Sequence, residues 1–186
     1  MATSDAVYTT EIQTPIGPML AAATETELIL FEFPHRRMID TQLDRVRRLT
    51  GCEPKPGESP VFGQLRTELA EYFVGRRHAF TVRLDARGTP FQMRVWSALR
   101  QIPCGSTTSY GRLAETIGEP NAVRAVARAN GDNRIAILIP CHRVIGSTGE
   151  LVGYGGGLAR KKKLLDLEAR AEALSLFEPD QRFSVE

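Results

Sequence analysis

YGRLAETIGEPNAVRAVARANG, residues 110–131, decides how the second half of this chain folds. Tyr110 to Ile117 reads as a short helix, Gly118-Glu119-Pro120-Asn121 as a turn, and Ala122 to Asn130 as a second helix stopped by Gly131. Two short helices joined by a four-residue turn fit a helix-turn-helix, although on spacing alone the same hairpin serves equally as a plain core element. The flanking residues have to choose between the two.

Just downstream, Arg134 precedes the apolar run Ile135-Ala136-Ile137-Leu138-Ile139, which must be buried, and the chain then changes abruptly to Pro140-Cys141-His142-Arg143-Val144. A proline turn delivers the cysteine from the core. A free cysteine alone is usually a small buried hydrophobe, but cationic neighbours such as His142 and Arg143 stabilise a thiolate, and reactive cysteines need such surroundings. Further on, Gly153-Tyr154-Gly155-Gly156-Gly157 permits close backbone approach to a flat ligand and leads into a helix from Leu158 to about Ala171. On that helix Glu168 lies four residues after Leu164 and three after Leu165, so it shares their apolar face. A carboxylate there needs a partner, and His142 is the candidate. The Arg160-Lys161-Lys162-Lys163 run reads as a solvated face.

Upstream, Thr89-Pro90-Phe91-Gln92 has the form of a capping box with proline at the first helical position, so a helix should run from Pro90 to about Gln101 and bury Phe91, Val95, Leu99 and Ile102. Ala86-Arg87-Gly88 reads as a linker. Before it, Tyr8 to Ile12, Met19 to Ala23 and Leu28 to Phe33 read as strands, with a turn at Thr14-Pro15-Ile16-Gly17-Pro18. Pro34 to Ser59 is polar and punctuated by Pro54, Pro56 and Gly57, which marks a loop. Phe62, Leu65, Leu69, Tyr72 and Phe73 then recur at helical spacing, and Phe80, Val82 and Leu84 alternate as one more strand. A sheet with helices packed on it is the expected form of residues 1–85, followed by a mostly helical unit over 86–171 and a tail over 172–186.

With 186 residues, 42% hydrophobic and 25% charged, the composition is that of an ordinary globular protein. Its net charge of +2 gives no bulk pull toward nucleic acid, so any such surface must come from local clusters such as Arg124 and Arg128. Cys52, Cys104 and Cys141 are widely spaced, no CxxC occurs, and no signal-like or membrane-length apolar segment is present. Reduced thiols in a cytoplasm are expected, with no metal.

Pro140-Cys141-His142-Arg143-Val144, together with Asn133, Ser109-Tyr110-Gly111, Arg124-Ala125-Val126, Tyr154-Gly155-Gly156-Gly157 and Glu168, resembles the O6-alkylguanine-DNA alkyltransferases, also called methylated-DNA-protein-cysteine methyltransferases. The dense match covers about residues 89–170. The resemblance implies an α+β protein: an N-terminal ribonuclease-H-like α/β domain followed by a C-terminal winged helix-turn-helix domain. It implies stoichiometric, irreversible transfer of an alkyl group from O6 of guanine to Cys141, with activity on O4 of thymine left open. The partner would be double-stranded DNA containing O6-alkylguanine. No cofactor, metal or membrane is called for, and the protein would be a cytoplasmic monomer, with cooperative binding on DNA left open.

By the same resemblance, the second helix of the hairpin enters the minor groove, with Ser109, Arg124, Ala125, Ala127, Arg128 and Gly131 facing DNA. Its alanines leave it slim enough for a narrow groove. The damaged nucleotide is rotated out of the duplex and Arg124 fills the gap. Glu168 orients His142, His142 withdraws the Cys141 proton through a water, Tyr110 protonates the departing guanine, and Asn133 holds the turn that positions Cys141. Pro140, Val144, Tyr154, Gly155 and Gly156 would form the substrate pocket. Three features depart from the family's patterns: Gly155 stands where some members use serine, Cys104 is unexpected, and the N-terminal zinc ligands of certain members are not recognisable. Among other readings, a non-catalytic damage sensor would lack Cys141, a Cys-His hydrolase would need an oxyanion hole, and a transcription factor would need base-reading side chains where this helix has alanines.

Overall fold

Tyr8–Ile12 (β1), Met19–Ala23 (β2) and Leu28–Glu32 (β3) form the antiparallel meander that their alternation predicts, with the turn after β1 closed by Gly17 N donating to Thr14 O at 2.9 Å. The computed structural model describes residues 6–175. A short strand, Lys55–Pro56 (β4), pairs parallel to β1, so the sheet order is β3-β2-β1-β4. Helix Pro60–Phe73 (α2) packs Phe62, Leu65, Leu69 and Tyr72 into the main core.

The segment expected to be a loop before residue 59 contains a helix, Ile39–Thr50 (α1). It is rich in arginine and aspartate, but Ile39, Leu43 and Val46 recur at i, i+4 and i+7 and seal a second, smaller cluster with Val7, Ala22, Ile29 and Leu30. The sheet is thus covered on both faces.

The strand expected over Phe80 to Leu84 is also absent as a ladder. That stretch bends at Val82 and meets β3 at one parallel bridge, Leu28 with Leu84, through Leu28 N to Arg83 O and Asp85 N to Leu28 O, both 2.8 Å. The reason lies further along the same edge. Phe31 bridges Ile135 in parallel, with Phe31 N donating to Arg134 O and Ala136 N to Phe31 O at 2.8 Å. Five residues of β3 serve two visiting segments, so neither can build a long ladder. One of them comes from the C-terminal half, and the main apolar cluster runs without a break through both halves.

The C-terminal half is built on Pro90–Arg100 (α3), whose capping box forms as expected: Gln92 N donates to Thr89 Oγ1 at 3.2 Å and Thr89 N to Gln92 Oε1 at 3.0 Å. Val95, Trp96 and Leu99 face inward, and Trp96 Nε1 donates to Ala129 O at 2.9 Å. Gly88 lies flat against the Trp96 ring, where a Cβ would approach it to 2.7 Å. Tyr110–Thr116 (α4) and Val123–Gly131 (α5) form the predicted helical hairpin. α5 passes through Gly131 rather than stopping before it, and its C-cap is Asp132 in a right-handed conformation. What holds this end is the Asp132 side chain, which accepts from Arg45 of α1 at 3.1 Å and from Gln92 of α3 at 3.0 Å.

Short strands Thr108–Ser109 (β5) and Val144–Ile145 (β6) pair in parallel, β6 leading out of a 3-10 turn at Cys141–Arg143, and Leu158–Ser175 (α6) packs behind that turn. α6 therefore carries Glu172 to Ser175, which the sequence assigned to the tail; the rest of that tail lies outside the described residues.

Candidate active site

The run Ile135 to Ile139 is buried as expected, but it is not a strand. Ile139 N reaches back to Ile135 O at 3.0 Å and Leu138 N to Ala136 O at 2.9 Å, and Ile137 adopts φ +72°. A β-branched residue with a left-handed φ costs about 1–3 kcal/mol and persists only where its surroundings over-determine it. Here the surroundings are the core on one side and Asn133 on the other. Asn133 Oδ1 accepts from Ile135 N at 3.0 Å, while its Nδ2 donates to Ile139 O at 2.9 Å and to Cys141 Sγ at 3.1 Å. One amide side chain ties the coiled run to the sulfur.

Cys141 is 6% exposed. Burial pushes its thiol up to about 11, against the smaller opposing effect of the Asn133 hydrogen bond. The expectation that neighbouring cations hold a thiolate is therefore corrected, because Arg143 turns away from the sulfur. Its Nη1 donates to Ile102 O at 2.6 Å, and its Nε and Nη2 both reach Glu168 at 2.9 Å. The resting sulfur is a neutral thiol.

His142 is fully buried and its Nε2 lies 2.9 Å from Glu168 Oε1. Since the carboxylate can only accept, Nε2 carries the hydrogen, and Nδ1 is left as a buried lone pair with no partner among the described residues. Burial holds the imidazole below its ordinary pKa, with Glu168 opposing. Glu168 itself, 1% exposed, would be raised by burial, but His142 and Arg143 outweigh this and hold it well below the usual carboxylate range. Its oxygens also accept from Tyr72 OH at 2.7 Å and Gly105 N at 3.3 Å. Tyr72 belongs to α2, so the N-terminal half contributes directly to this network, as the sequence reading did not foresee.

In front of Cys141 opens a cavity of about 180 Å³, also lined by Tyr110, Asn130, Asn133, Tyr154 and Gly155. Tyr110 is half-buried, 3.5 Å from Asn130 Nδ2, and burial raises its hydroxyl pKa with Cys141 adding to the effect. Among the described residues, Asn130 Oδ1 and Tyr154 OH are buried without a partner. Two unsatisfied polar atoms on the residues of one cavity invite a ligand with hydrogen-bonding edges.

Three residues expected in this pocket stand elsewhere. Pro140 lines a separate hollow beside Phe80 and Arg100, Val144 is buried in β6, and Gly156 is packed under Phe33, whose ring a Cβ would meet at 2.3 Å. Two unforeseen residues, Glu32 and Arg36, close the cavity from the N-terminal half: they pair with each other, and Arg36 also donates to Asn133 O at 3.1 Å. The Lys run is corrected in part. Lys161 is buried, and its Nζ donates to Val144 O and Val152 O at 2.5 Å, pinning the glycine loop to the exit of the cysteine turn.

Arg124, Ala125 and Arg128 are exposed on α5 outside the cavity, while half-buried Ala127 and exposed Gly131 line it from the helix side. Ser109 caps α4, its Oγ accepting from Arg112 N at 3.2 Å. Neither Arg124 nor Arg128 makes an ion pair or side-chain hydrogen bond among the described residues, so both exposed guanidiniums are available.

Two family models match this chain: residues 7–86 match the ribonuclease-like domain of 6-O-methylguanine DNA methyltransferase, and residues 90–170 its DNA-binding domain. A Mycobacterium tuberculosis methylated-DNA–protein-cysteine methyltransferase is 48% identical over 169 residues, covering 90% of this chain and 96% of that one. A Salmonella typhimurium protein of the same name is 44% identical over 158 residues, covering 83% and 91%. Among solved structures, M. tuberculosis OGT in complex with DNA superposes with a TM-score of 0.75 at 43% identity, covering 93% of this chain and 99% of the other.

Proposed function

The chain belongs to the 6-O-methylguanine DNA methyltransferase family, and from that premise we propose that it repairs duplex DNA by moving an alkyl group from O6 of guanine irreversibly onto its own Cys141. The observation that carries this reading is the relay at the cavity floor: Cys141 Sγ held by Asn133, beside His142, whose Nε2 is committed to Glu168 and whose Nδ1 is free.

The residues suggest the following sequence of events. α5 lies in the minor groove, where its small residues allow close approach, and Arg128 holds a phosphate. An O6-alkyl group points into the major groove, so the nucleotide must rotate out into the cavity, and Arg124 takes its place in the stack. Within the cavity, Asn130 Oδ1 and Tyr154 OH find partners on the purine edge. The neutral thiol gives its proton to His142 Nδ1, with one water sufficient as a bridge, and Glu168 stabilises the resulting imidazolium. The sulfur–carbon bond forms as the carbon–O6 bond breaks. Tyr110 protonates the leaving guanine, and the extra proton of the His142 imidazolium returns through water to the Tyr110 phenolate, so in the net reaction the thiol proton is balanced by the one gained by the base.

The product is a thioether, which no group in the site can reverse, and each molecule acts once without a cofactor. Cys104 and Cys141 are free thiols, which suits a reducing compartment, and we place the protein in the cytoplasm as a monomer on DNA. No helix among the described residues is long and apolar enough to cross a membrane.

Incubation with an oligonucleotide containing O6-methylguanine, followed by intact-protein mass measurement and peptide mapping, tests the reading. One methyl group per molecule on Cys141 is expected, and none on Cys141→Ser, which should still bind DNA because phosphate contacts dominate affinity. Turnover with excess substrate, or methylation elsewhere, would overturn it.

A further inference from the structure

A second hollow, of about 310 Å³, opens between α1 and the start of α3, away from Cys141. Four guanidiniums converge on it: Arg45 and Arg48 from α1, Arg87 from the linker and Arg134 from the start of the buried run. Leu49 and Trp96 supply an apolar wall. Two carboxylates approach, and both are already engaged. Asp85 holds Arg87 Nε at 2.8 Å and Nη2 at 2.6 Å, and Asp132 holds Arg45 at 3.1 Å and Gln92 at 3.0 Å.

The other two cations have no such partner among the described residues. Arg134 is 3% exposed, yet it hydrogen-bonds only to neutral carbonyls, Ile29 O at 3.1 Å, Asp85 O at 3.2 Å and Arg87 O at 2.7 Å, with its guanidinium 5.5 Å from the Trp96 ring centre. A buried guanidinium that no carboxylate contacts directly is costly, even with Asp85 attracting it from further off. Burial, aided by repulsion from Arg45 and Arg87, lowers the Arg134 pKa to about 10 despite the attraction of Asp85. Arg48 is exposed at the rim and makes no ion pair or side-chain hydrogen bond among the described residues. The hollow therefore has a surplus of positive charge, and the side chains that face it are planar forks suited to bidentate recognition of phosphate.

Its location bears on the source of the phosphate. Asp132 and Gln92 tie the mouth of the hollow to the C-terminal end of α5, whose exposed face carries Arg124 and Arg128. A nine-residue helix is roughly 13 Å long, the axial rise of about four nucleotides at 3.4 Å each.

We propose that this arginine crevice binds a phosphate group, gripped by Arg48 and Arg45 with the Arg134 charge behind it, the phosphate belonging to the duplex backbone or to a free nucleotide. The duplex source rests on the DNA-repair reading above; the nucleotide source does not. A backbone phosphate there would extend the DNA footprint from α5 onto the N-terminal domain.

The test compares wild type with Arg48→Ala, Arg48→Lys and Arg45→Ala/Arg48→Ala, using transfer from free O6-benzylguanine as the control that fold and acceptor site are intact. For undamaged duplex, the log–log slope of affinity against salt should become shallower by about one in Arg48→Ala and stay near wild type in Arg48→Lys. A slope that is unchanged, together with a melting shift by inorganic phosphate or ADP that wild type shows and the double variant loses, assigns the crevice to a free nucleotide. An unchanged slope with no phosphate- or ADP-dependent melting shift in wild type, or one that survives in the double variant, overturns the proposal. Should wild type fail to bind duplex at all, the DNA-repair reading falls, and the phosphate and ADP melts alone judge the crevice.

Discussion

Glu168→Gln keeps the shape of the side chain and removes its charge, so its effect can be worked out donor by donor. In the wild type, Oε1 accepts from Tyr72 OH at 2.7 Å, His142 Nε2 at 2.9 Å and Arg143 Nη2 at 2.9 Å, and Oε2 accepts from Arg143 Nε at 2.9 Å and Gly105 N at 3.3 Å. A glutamine offers one oxygen and one NH2. With the oxygen on the three-donor side, the NH2 still faces Arg143 Nε and Gly105 N, and the guanidinium, 7% exposed, loses its counter-charge. Removing one member of a buried pair costs about 3–5 kcal/mol, which for a chain of this size lowers the melting midpoint by roughly 10 °C. His142 loses the carboxylate that stabilises its protonated form, so transfer to Cys141 should slow by about 10²-fold, on free base and duplex alike. The stability gap should also depend on pH. Because the folded carboxyl titrates below its unfolded value of about 4.3, its contribution is fully present above that value and is lost as pH falls through the folded one. Wild type and variant should therefore converge in acid. Thermal melts across pH, with single-turnover transfer rates, provide the measurement. A variant melting within a degree of wild type at neutral pH, or transferring at the wild-type rate, would refute the account of Glu168.

Arg124→Ala should slow repair in duplex DNA far more than transfer from the free base, which needs no extrusion; equal losses on both would remove its role in the stack. Transfer from the free base should hold its rate from pH 8 down to about 6.5 and fall only below, since burial keeps His142 neutral beneath that value; a decline beginning at pH 7.5 would count against His142 as the base. Alkylated protein should melt several degrees lower than unmodified protein, because an added group crowds a sulfur that is 6% exposed and disturbs its Asn133 contact, at about 1–3 kcal/mol and with benzyl worse than methyl. Identical midpoints for the three forms would show that the cavity takes the group without strain.

The parts of this protein legible in its sequence are those whose signal is local. The capping box at Thr89 and Gln92, the α4–α5 hairpin and the three-strand meander depend on residues within a turn or two of one another, and each forms where its pattern puts it. The Pro140-Cys141-His142-Arg143 stretch named the chemistry, because few functions need that order of side chains on one turn. The buried face of α6 was only half read. Lys161, Leu164, Glu168 and Ala171 all point inward at helical spacing, but a lysine inside a basic run looks solvated until Val144 O and Val152 O are seen to receive it. α1 was missed for a related reason: its three apolar positions are outnumbered by charges, and only the cluster with Val7, Ala22 and Ile29 shows that three are enough.

What the tertiary structure alone decided is the set of contacts between distant segments. Tyr72 on Glu168, Arg36 and Glu32 at the cavity, and the Phe31–Ile135 bridge each join the N-terminal to the C-terminal half. No periodicity encodes such pairs, because they arise where segments far apart in sequence meet in one shared core. The state of the thiol belongs here too. Adjacency in sequence places Arg143 two residues from Cys141, but the charge of a group is set by its neighbours in space, and there the guanidinium faces Glu168 while burial keeps the proton on the sulfur.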